Sequence, residues 1–323
     1  MRIAIDAMGG DLAPVQIVEG AALAVRDLDV EVVMVGLPDA VLPLLERHTE
    51  LRFVPATQVV GMEEHPANAI RAKSDSSMSV CARLVKDGEV DAWVSAGNSG
   101  AALAASLFIL GRIRGVDRPA LGSMVPTANG FTYLLDVGAN VDCKAQFLVQ
   151  FAQMGAAYAQ GLLGLENPRI ALLSNGEEPG KGDHLVREVY PRLERSGLNF
   201  VGNVEAKEML AGAADVVVAD GFLGNVAIKM AEATAEYIFR TLREEIPKSM
   251  VGKLGGLLIR PRVRAMRSRL DWREYGGAPL LGVDGVAVVA HGRSDALAIR
   301  NAIRVAKQSV DAGLVARIRE AVT

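Results

Sequence analysis

The residues best suited to chemistry sit in short loops rich in glycine and asparagine. Gly97-Asn98-Ser99-Gly100 opens an apolar stretch, and Gly9-Gly10-Asp11 and Gly138-Ala139-Asn140 each follow a short apolar run. A phosphate needs converging N–H donors, glycine lets a backbone approach closely, and a helix N-terminus adds partial positive charge. These loops point to a phosphate-bearing substrate, and Gly97–Gly100 fits best. Taken singly, each reads more readily as a plain strand-to-helix turn, and it is their number that points to a ligand. Lys181, in Gly180-Lys181-Gly182-Asp183, is a candidate phosphate clamp. Asp6, Asp11, Asp136, Glu178, Asp220 and His184 are candidate acids and bases, although most carboxylates at strand ends cap helices.

Several familiar chemistries lack their patterns. A P-loop requires G-x-x-x-x-G-K-[ST]. Here Gly176 and Gly180 are one residue too close, and Gly182 stands where Ser or Thr is needed. ATP is therefore not expected. No G-x-G-x-x-G occurs, so the dinucleotide fingerprint is missing. His48, His65, His184 and His291 are scattered, with no C-x-x-C or H-E-x-x-H spacing, so neither a metal nor a cofactor is expected. No G-x-S-x-G elbow is present. Cys81 falls in a helical pattern and reads as core, whereas Cys143, just after the Asn140 loop, is ambiguous.

The elements that would position these loops recur along the chain. Apolar runs at Arg2–Asp6, Asp91–Val94, Tyr133–Asp136, Arg169–Leu173, Val216–Ala219 and Val286–Ala290 each lead into a glycine-bearing loop and then a helical pattern. Glu31–Val35 and Leu51–Val54 read as further strands. Continuous apolar strands suit a mostly parallel sheet covered on both faces, so the class is α/β, with three α/β/α layers. Ligands in such sheets bind outside the carboxyl ends of the strands, which puts all six loops along one edge. A single α/β domain spanning residues 1–323 is expected, because no linker or repeat divides it.

A net charge of -3 and 5% aromatic residues disfavour nucleic acid as partner. The start, Met1 to Asp6, does not read as a signal peptide, and two cysteines suit a reducing compartment, so a cytoplasmic protein is expected. A basic amphipathic helical insertion about 226–272 breaks the strand–helix alternation. Its two segments, roughly 226–245 and 249–270, are separated by Pro247, and the second is broken by Gly255-Gly256 and Pro261. The second segment has three readings: a contact with an anionic membrane, a dock for an acidic carrier protein, or packing against a second copy. Leu254, Leu257, Leu258, Arg260 and Arg264 are its candidate contact residues, with the exposed tip near Leu254–Ile259.

Together, the loops resemble the bacterial phosphate acyltransferases. The similar blocks are Asp6-Ala7-Met8-Gly9-Gly10-Asp11 with Pro14, Ser95 to Ala101, Asp136 to Lys144, Asp220-Gly221-Phe222 with Gly224-Asn225-Val226 and Lys229, and Gly282 to Gly285 with His291-Gly292 and Ser294. Ser99 stands where that family more usually has Thr. In the lysine loop Gly176, Glu178, Lys181 and Gly182 fit, whereas Glu177, Pro179 and Asp183-His184 are less typical.

The resemblance implies a homodimer with a fold like the isopropylmalate dehydrogenases and phosphotransacetylases, and the 226–272 insertion is expected to protrude from it as a helical pair. The resemblance also implies that inorganic phosphate attacks an acyl-acyl carrier protein, giving acyl phosphate for phospholipid synthesis, with Lys181 and Asn225 catalytic. Asp6, Gly9, Gly10, Asp11, Asn98, Ser99, Gly100, Asn140, Glu178 and His291 are the expected substrate contacts. Peripheral attachment to the inner face of the cell membrane, beside the downstream membrane acyltransferase, is expected as well. The alternatives are an acyl-CoA donor or a non-catalytic binding module for membrane or carrier protein.

Overall fold

The computed structural model describes residues 1–322. One sheet contains β1 (Arg2–Asp6), β2 (Glu31–Gly36), β3 (Arg52–Pro55), β4 (Ala92–Ser95), β5 (Ala120–Thr127), β6 (Gly130–Leu135), β7 (Ile170–Leu173), β8 (Phe200–Val204), β9 (Val216–Val218), β10 (Gly277–Leu281) and β11 (Val286–Ala290). Their order across the sheet is β3-β2-β1-β4-β11-β10-β5-β6-β9-β7-β8. The helices are α1 (Val15–Leu28), α2 (Pro38–Leu45), α3 (Pro66–Ala72), α4 (Ser77–Lys86) and α5 (Ser99–Ala105), then α6 (Ala145–Leu162), α7 (His184–Glu194) and α8 (Ala206–Ala211). They continue with α9 (Gly221–Glu245), α10 (Met250–Arg269), α11 (Trp272–Tyr275), α12 (Ala296–Asp311) and α13 (Leu314–Val322).

Alternate residues of each strand feed opposite layers, as the two-residue period requires. Ile3 and Ile5 of β1, with Val286, Val288 and Ala290 of β11, join Ile17 and Ile299 on one face. Ala4, Ala287 and Val289 join Met78, Cys81 and Ala101 on the other. In the second half of the sheet Ile170 and Leu172 pack with Phe151 and Val189, while Ala171 and Leu173 pack with Met209 and Ala214. The expected three-layer, mostly parallel α/β architecture is what the chain forms.

Three strands, β5, β8 and β10, lie outside the expected set, and two of them change the geometry. β10 runs antiparallel to both β11 and β5, and β5 runs antiparallel to β6. The remaining strands are parallel within each half: β3, β2, β1, β4 and β11 on one side, β6, β9, β7 and β8 on the other. The two halves therefore run in opposite directions. The expectation of six loops along one edge is corrected to two groups of three, one after β1, β4 and β11 and one after β6, β7 and β9.

The helical pair also differs from its expected bounds. α9 begins at Gly221, capped by the Asp220 carboxylate, so Asn225 lies in a helix and not in a loop. α10 is continuous through Gly255-Gly256 and Pro261 and buries none of its residues. On an exposed helix, water satisfies the carbonyl that proline leaves without a donor, so the helix persists. The connecting turn at Ile246–Lys248 makes Met250 and Val251, 80% and 83% exposed, the tip of the pair. Leu257 and Leu258 lie about two turns back along α10.

Candidate functional site

The first group of loops is locked together by buried polar atoms. Asp6, 1% exposed, accepts hydrogen bonds from Ser95 Oγ at 2.7 Å and from the Met8 N–H at 3.0 Å. Burial pushes its carboxyl above the ordinary aspartate range, against hydrogen bonds from Ser77, Ser95 and the backbone. Gly9 is required here, because a Cβ would lie 2.7 Å from the Gly97 nitrogen. The Asp11 N–H donates to the Gly292 carbonyl at 2.8 Å, which ties the β1 loop to the β11 loop.

Asn98 caps α5 by accepting from the Ala101 N–H at 3.0 Å, and its Nδ2 donates to the Met62 and Glu64 carbonyls. The Asp6 and Asn98 side chains thus hold backbone in place, Asp6 buried and Asn98 half-exposed at the head of α5. Ser99 is exposed at the first turn of α5, and Gly100 follows it. Nδ1 of half-buried His291 accepts from the Arg293 N–H at 3.1 Å, leaving Nε2 to carry the proton. Burial first, then the charges of Arg293 and Lys229, hold this imidazole below its ordinary pKa. It is a neutral donor, with the Trp272 ring 4.8 Å away.

The second group is organised by Asp136, which is fully buried. Its carboxylate accepts from the backbone N–H groups of Leu121, Gly138, Ala139 and Asn140, and from Asn140 Nδ2. Asn140 Nδ2 also donates to the Pro119 carbonyl at 2.8 Å, so both amide hydrogens are spent on the loop. α9 meets this loop through glycine: a Cβ on Gly224 would collide with the Asp136 carbonyl oxygen. Asn225 follows, its side chain over Gly138.

Cys143 is half-buried beside Asp220, whose Oδ2 accepts from the Cys143 N–H at 2.9 Å. Burial and that carboxylate push the thiol up to about 12, which leaves it a poor nucleophile near neutrality. Lys181 and Glu178 are exposed on the loop after β7, where the Lys181 N–H donates to the Glu178 carbonyl at 2.9 Å. Asn203 Nδ2 fixes the same carbonyl from β8, and Asp183 caps α7. β7 lies beside β9 and β9 beside β6, so the Lys181 loop opens on the same edge as Asn225.

α9 links the two groups. Asn225 sits in its second turn, and Lys229, one turn on, lies within electrostatic reach of His291. Half-buried Glu232 follows at the next turn, its carboxyl raised mainly by burial. Lys229 and Glu232 had no assigned role in the sequence, but Asn225, Lys229 and Glu232 share one face by i, i+4, i+7 spacing. Beneath this helix lies a mostly apolar cavity of about 560 Å³, with Ser99, His291, Val137, Ala227 and Glu232 among its walls. Lys181 and Glu178 are not among its lining residues. Among the described residues no cluster of three or more His, Cys, Asp or Glu could hold a metal ion. No helix among the described residues is long and apolar enough to cross a membrane.

Solved structures share this architecture. A phosphotransacetylase from Streptococcus pyogenes superposes with a TM-score of 0.66 at 17% identity, covering 96% of this chain and 94% of that one. A branched-chain phosphotransacylase from Enterococcus faecalis gives 0.61 at 15%, covering 96% and 99%. A 4-hydroxythreonine-4-phosphate dehydrogenase from Klebsiella pneumoniae gives 0.57 at 13%, covering 96% and 99%. The class is thus an α/β protein that shares its fold with these phosphotransacylases and dehydrogenases. Residues 1–317 match the family described as "Fatty acid synthesis protein". The chain is 50% identical to a phosphate acyltransferase of Desulfitobacterium hafniense (strain Y51), covering 99% of this chain and 97% of that one. It is 49% identical to one of Heliobacterium modesticaldum, with the same coverages. The chain belongs to the phosphate acyltransferase family and is an acyltransferase.

Proposed function

We propose that this enzyme transfers a fatty acyl group from acyl-acyl carrier protein to inorganic phosphate, giving acyl phosphate for phosphatidic acid and phospholipid synthesis. The observation that carries the reading is Asn225, seated over Gly138 beside an apolar cavity, in a chain 50% identical to a phosphate acyltransferase. An oxygen of hydrogen phosphate attacks the thioester carbonyl. The new C–O bond forms, the C–S bond breaks, and the phosphate proton ends on the departing thiolate. A thioester is already activated, so the main barriers are bringing two anionic reactants together and stabilising the oxyanion. Lys181 neutralises and orients phosphate. Asn225, the backbone N–H groups of Ser99 and Gly100, and His291 Nε2–H are the neutral donors for phosphate and oxyanion, with Gly9, Gly10, Asp11 and Glu178 framing the loops. The raised Cys143 thiol favours direct attack over an acyl-enzyme.

Residues 1–323 act as one unit in this reading, with 226–272 as its helical insertion. The outward residues Leu223, Val226 and Tyr237 on α9 are exposed at helical spacing, which supports a homodimer. The apolar tip of the pair, followed by Arg260 and Arg264, supports contact with an anionic membrane. The decisive assay incubates the protein with labelled phosphate and either long-chain acyl-carrier protein or acyl-CoA. Labelled acyl phosphate from the carrier-bound donor is expected. Product from CoA alone moves the donor assignment, and no product from either overturns the reading.

A further inference from the structure

The cavity under α9 has a floor, a roof and two ends. Its floor is the β5–β10 region, from Leu121 to Pro126, and its roof is the inner face of α9, from Ala227 to Ile238. At one end Val137 adjoins Gly138 and Asn225. At the other, Leu210 accepts from the Ala128 N–H just beyond β5, and Tyr275 meets the ring of Phe131, the cross-strand partner of Pro126. Ser99, Glu232 and His291 lie on the flank toward β4 and β11. The roof carries Ala227, Ala231 and Ala235 at four-residue intervals. These small side chains leave unfilled the space between helix and sheet where a core helix would bury large ones.

The dimensions select an occupant. Ala227 to Ile238 spans about 16 Å of helix, and Leu121 to Pro126 about 17 Å of strand. One lipid tail spans half of the ~30 Å hydrocarbon core of a bilayer, about 15 Å. At roughly 30 Å³ per chain atom, the share a water takes in the liquid, the volume suits about eighteen carbons. We infer that this cavity binds the acyl chain of the substrate in extended form, its carbonyl toward Asn225 and its methyl end toward Ile238, so that the alanines of α9 set the chain length accepted. This rests on the acyl-transfer reading above.

The test uses the full-length enzyme, Ala231→Phe and Ala235→Phe, each checked by its melting temperature. Turnover is measured with thioester donors of graded chain length, and binding separately with a fluorescent polyene fatty acid. Each methylene denied to the cavity weakens the complex about four-fold. The optimum should therefore shift to shorter chains, and the long-to-short ratio of kcat/KM should fall by about 100-fold in Ala231→Phe. Ala235→Phe, about 6 Å further from Asn225, should cut the ratio less. Equal loss at every length, or an unchanged profile, overturns the inference. So does a shift in the monomer–dimer balance without a change in profile, which would mean that a second copy fills the space. Probe binding sensitive to Ala231→Phe, without acyl phosphate from any wild-type assay, overturns the acyl-transfer reading and leaves the cavity assignment standing.

Discussion

The side chain of Asn225 lies over Gly138, whose φ of +131° keeps that position open to glycine: a Cβ there would stand 3.5 Å from Asn225 Cγ. This contact sets the second turn of α9 on the loop that Asp136 organises, next to Val137 and two residues before Ala227, which both line the cavity. Asn225→Ala should lower acyl-phosphate formation by 100- to 1,000-fold, about 2.7–4 kcal/mol of transition-state stabilisation. The melting temperature should barely move, because the side chain is only partly buried. Turnover within five-fold of wild type, on the scale of roughly 1 kcal/mol, would remove Asn225 from the mechanism.

Lys181 is exposed, and its stem packs over Gly176. A flexible cation on a loop held by Asn203 and Asp183 can meet phosphate without a large rearrangement. Lys181→Ala should reduce turnover at least 100-fold, about 3 kcal/mol, and Lys181→Arg should recover part of it. A loss confined to the KM for phosphate would mean that Lys181 only gathers the anion.

Asp136 carries a structural prediction. Replacing it with Ala would strand part-buried N–H donors at Leu121, Gly138, Ala139 and Asn140. The expected destabilisation is about 3 kcal/mol or more in urea unfolding. Asp136→Asn, which keeps one acceptor oxygen, should lose less. Equal stability for the two variants would show that the loop is held by other contacts.

The sequence disclosed the strands that are apolar throughout, such as Val286–Ala290, because burial on both faces writes itself into composition. It concealed β5, β8 and β10. β5 contains Pro126 and polar Ser123, β8 contains Gly202 and Asn203, and β10 contains Pro279. Proline in a run normally argues against a strand, and glycine weakens one. Missing β5 and β10 also hid the reversal of strand direction, which is why the loops looked as though they shared one edge. The candidate site was legible as residue types, since glycine, asparagine and lysine at loop positions are what an anion site uses. Which of those side chains also hold backbone was not legible. Asn98 and Asn140 reveal that only through partners such as Met62 and Pro119, remote in sequence.

His291 gives a prediction in pH. Burial, Arg293 and Lys229 hold its folded pKa below the ordinary value of about 6.5. The unfolded chain therefore binds the proton more tightly, and the group's contribution to stability is full above the unfolded value. That contribution shrinks as pH falls toward the folded value. An NMR titration should place the imidazole transition below 6.5, and Arg293→Gln should move it upward. If the acid limb of kcat/KM moves up with it, the neutral imidazole is required for turnover. A transition above that of a free histidine would remove His291 from the set of neutral donors.

The tip of the α9–α10 pair gives a prediction about membranes. Met250 and Val251 are the most exposed large apolar side chains, and Lys253, Arg260 and Arg264 follow on the same helix. Apolar insertion contributes about 1.5–3 kcal/mol per fully buried side chain, and basic residues near an anionic surface about 1 kcal/mol each. The Met250→Glu, Val251→Glu variant should bind phosphatidylglycerol-containing vesicles about 100-fold more weakly than wild type. Leu257→Glu, Leu258→Glu, about two turns behind the tip, should cost less. Wild-type binding should weaken as salt rises, because the basic contribution is screened within a Debye length of about 10 Å at 0.1 M. Co-sedimentation with anionic and neutral vesicles measures all three effects. Unchanged binding by the tip variant would assign the exposed apolar residues to protein contacts instead.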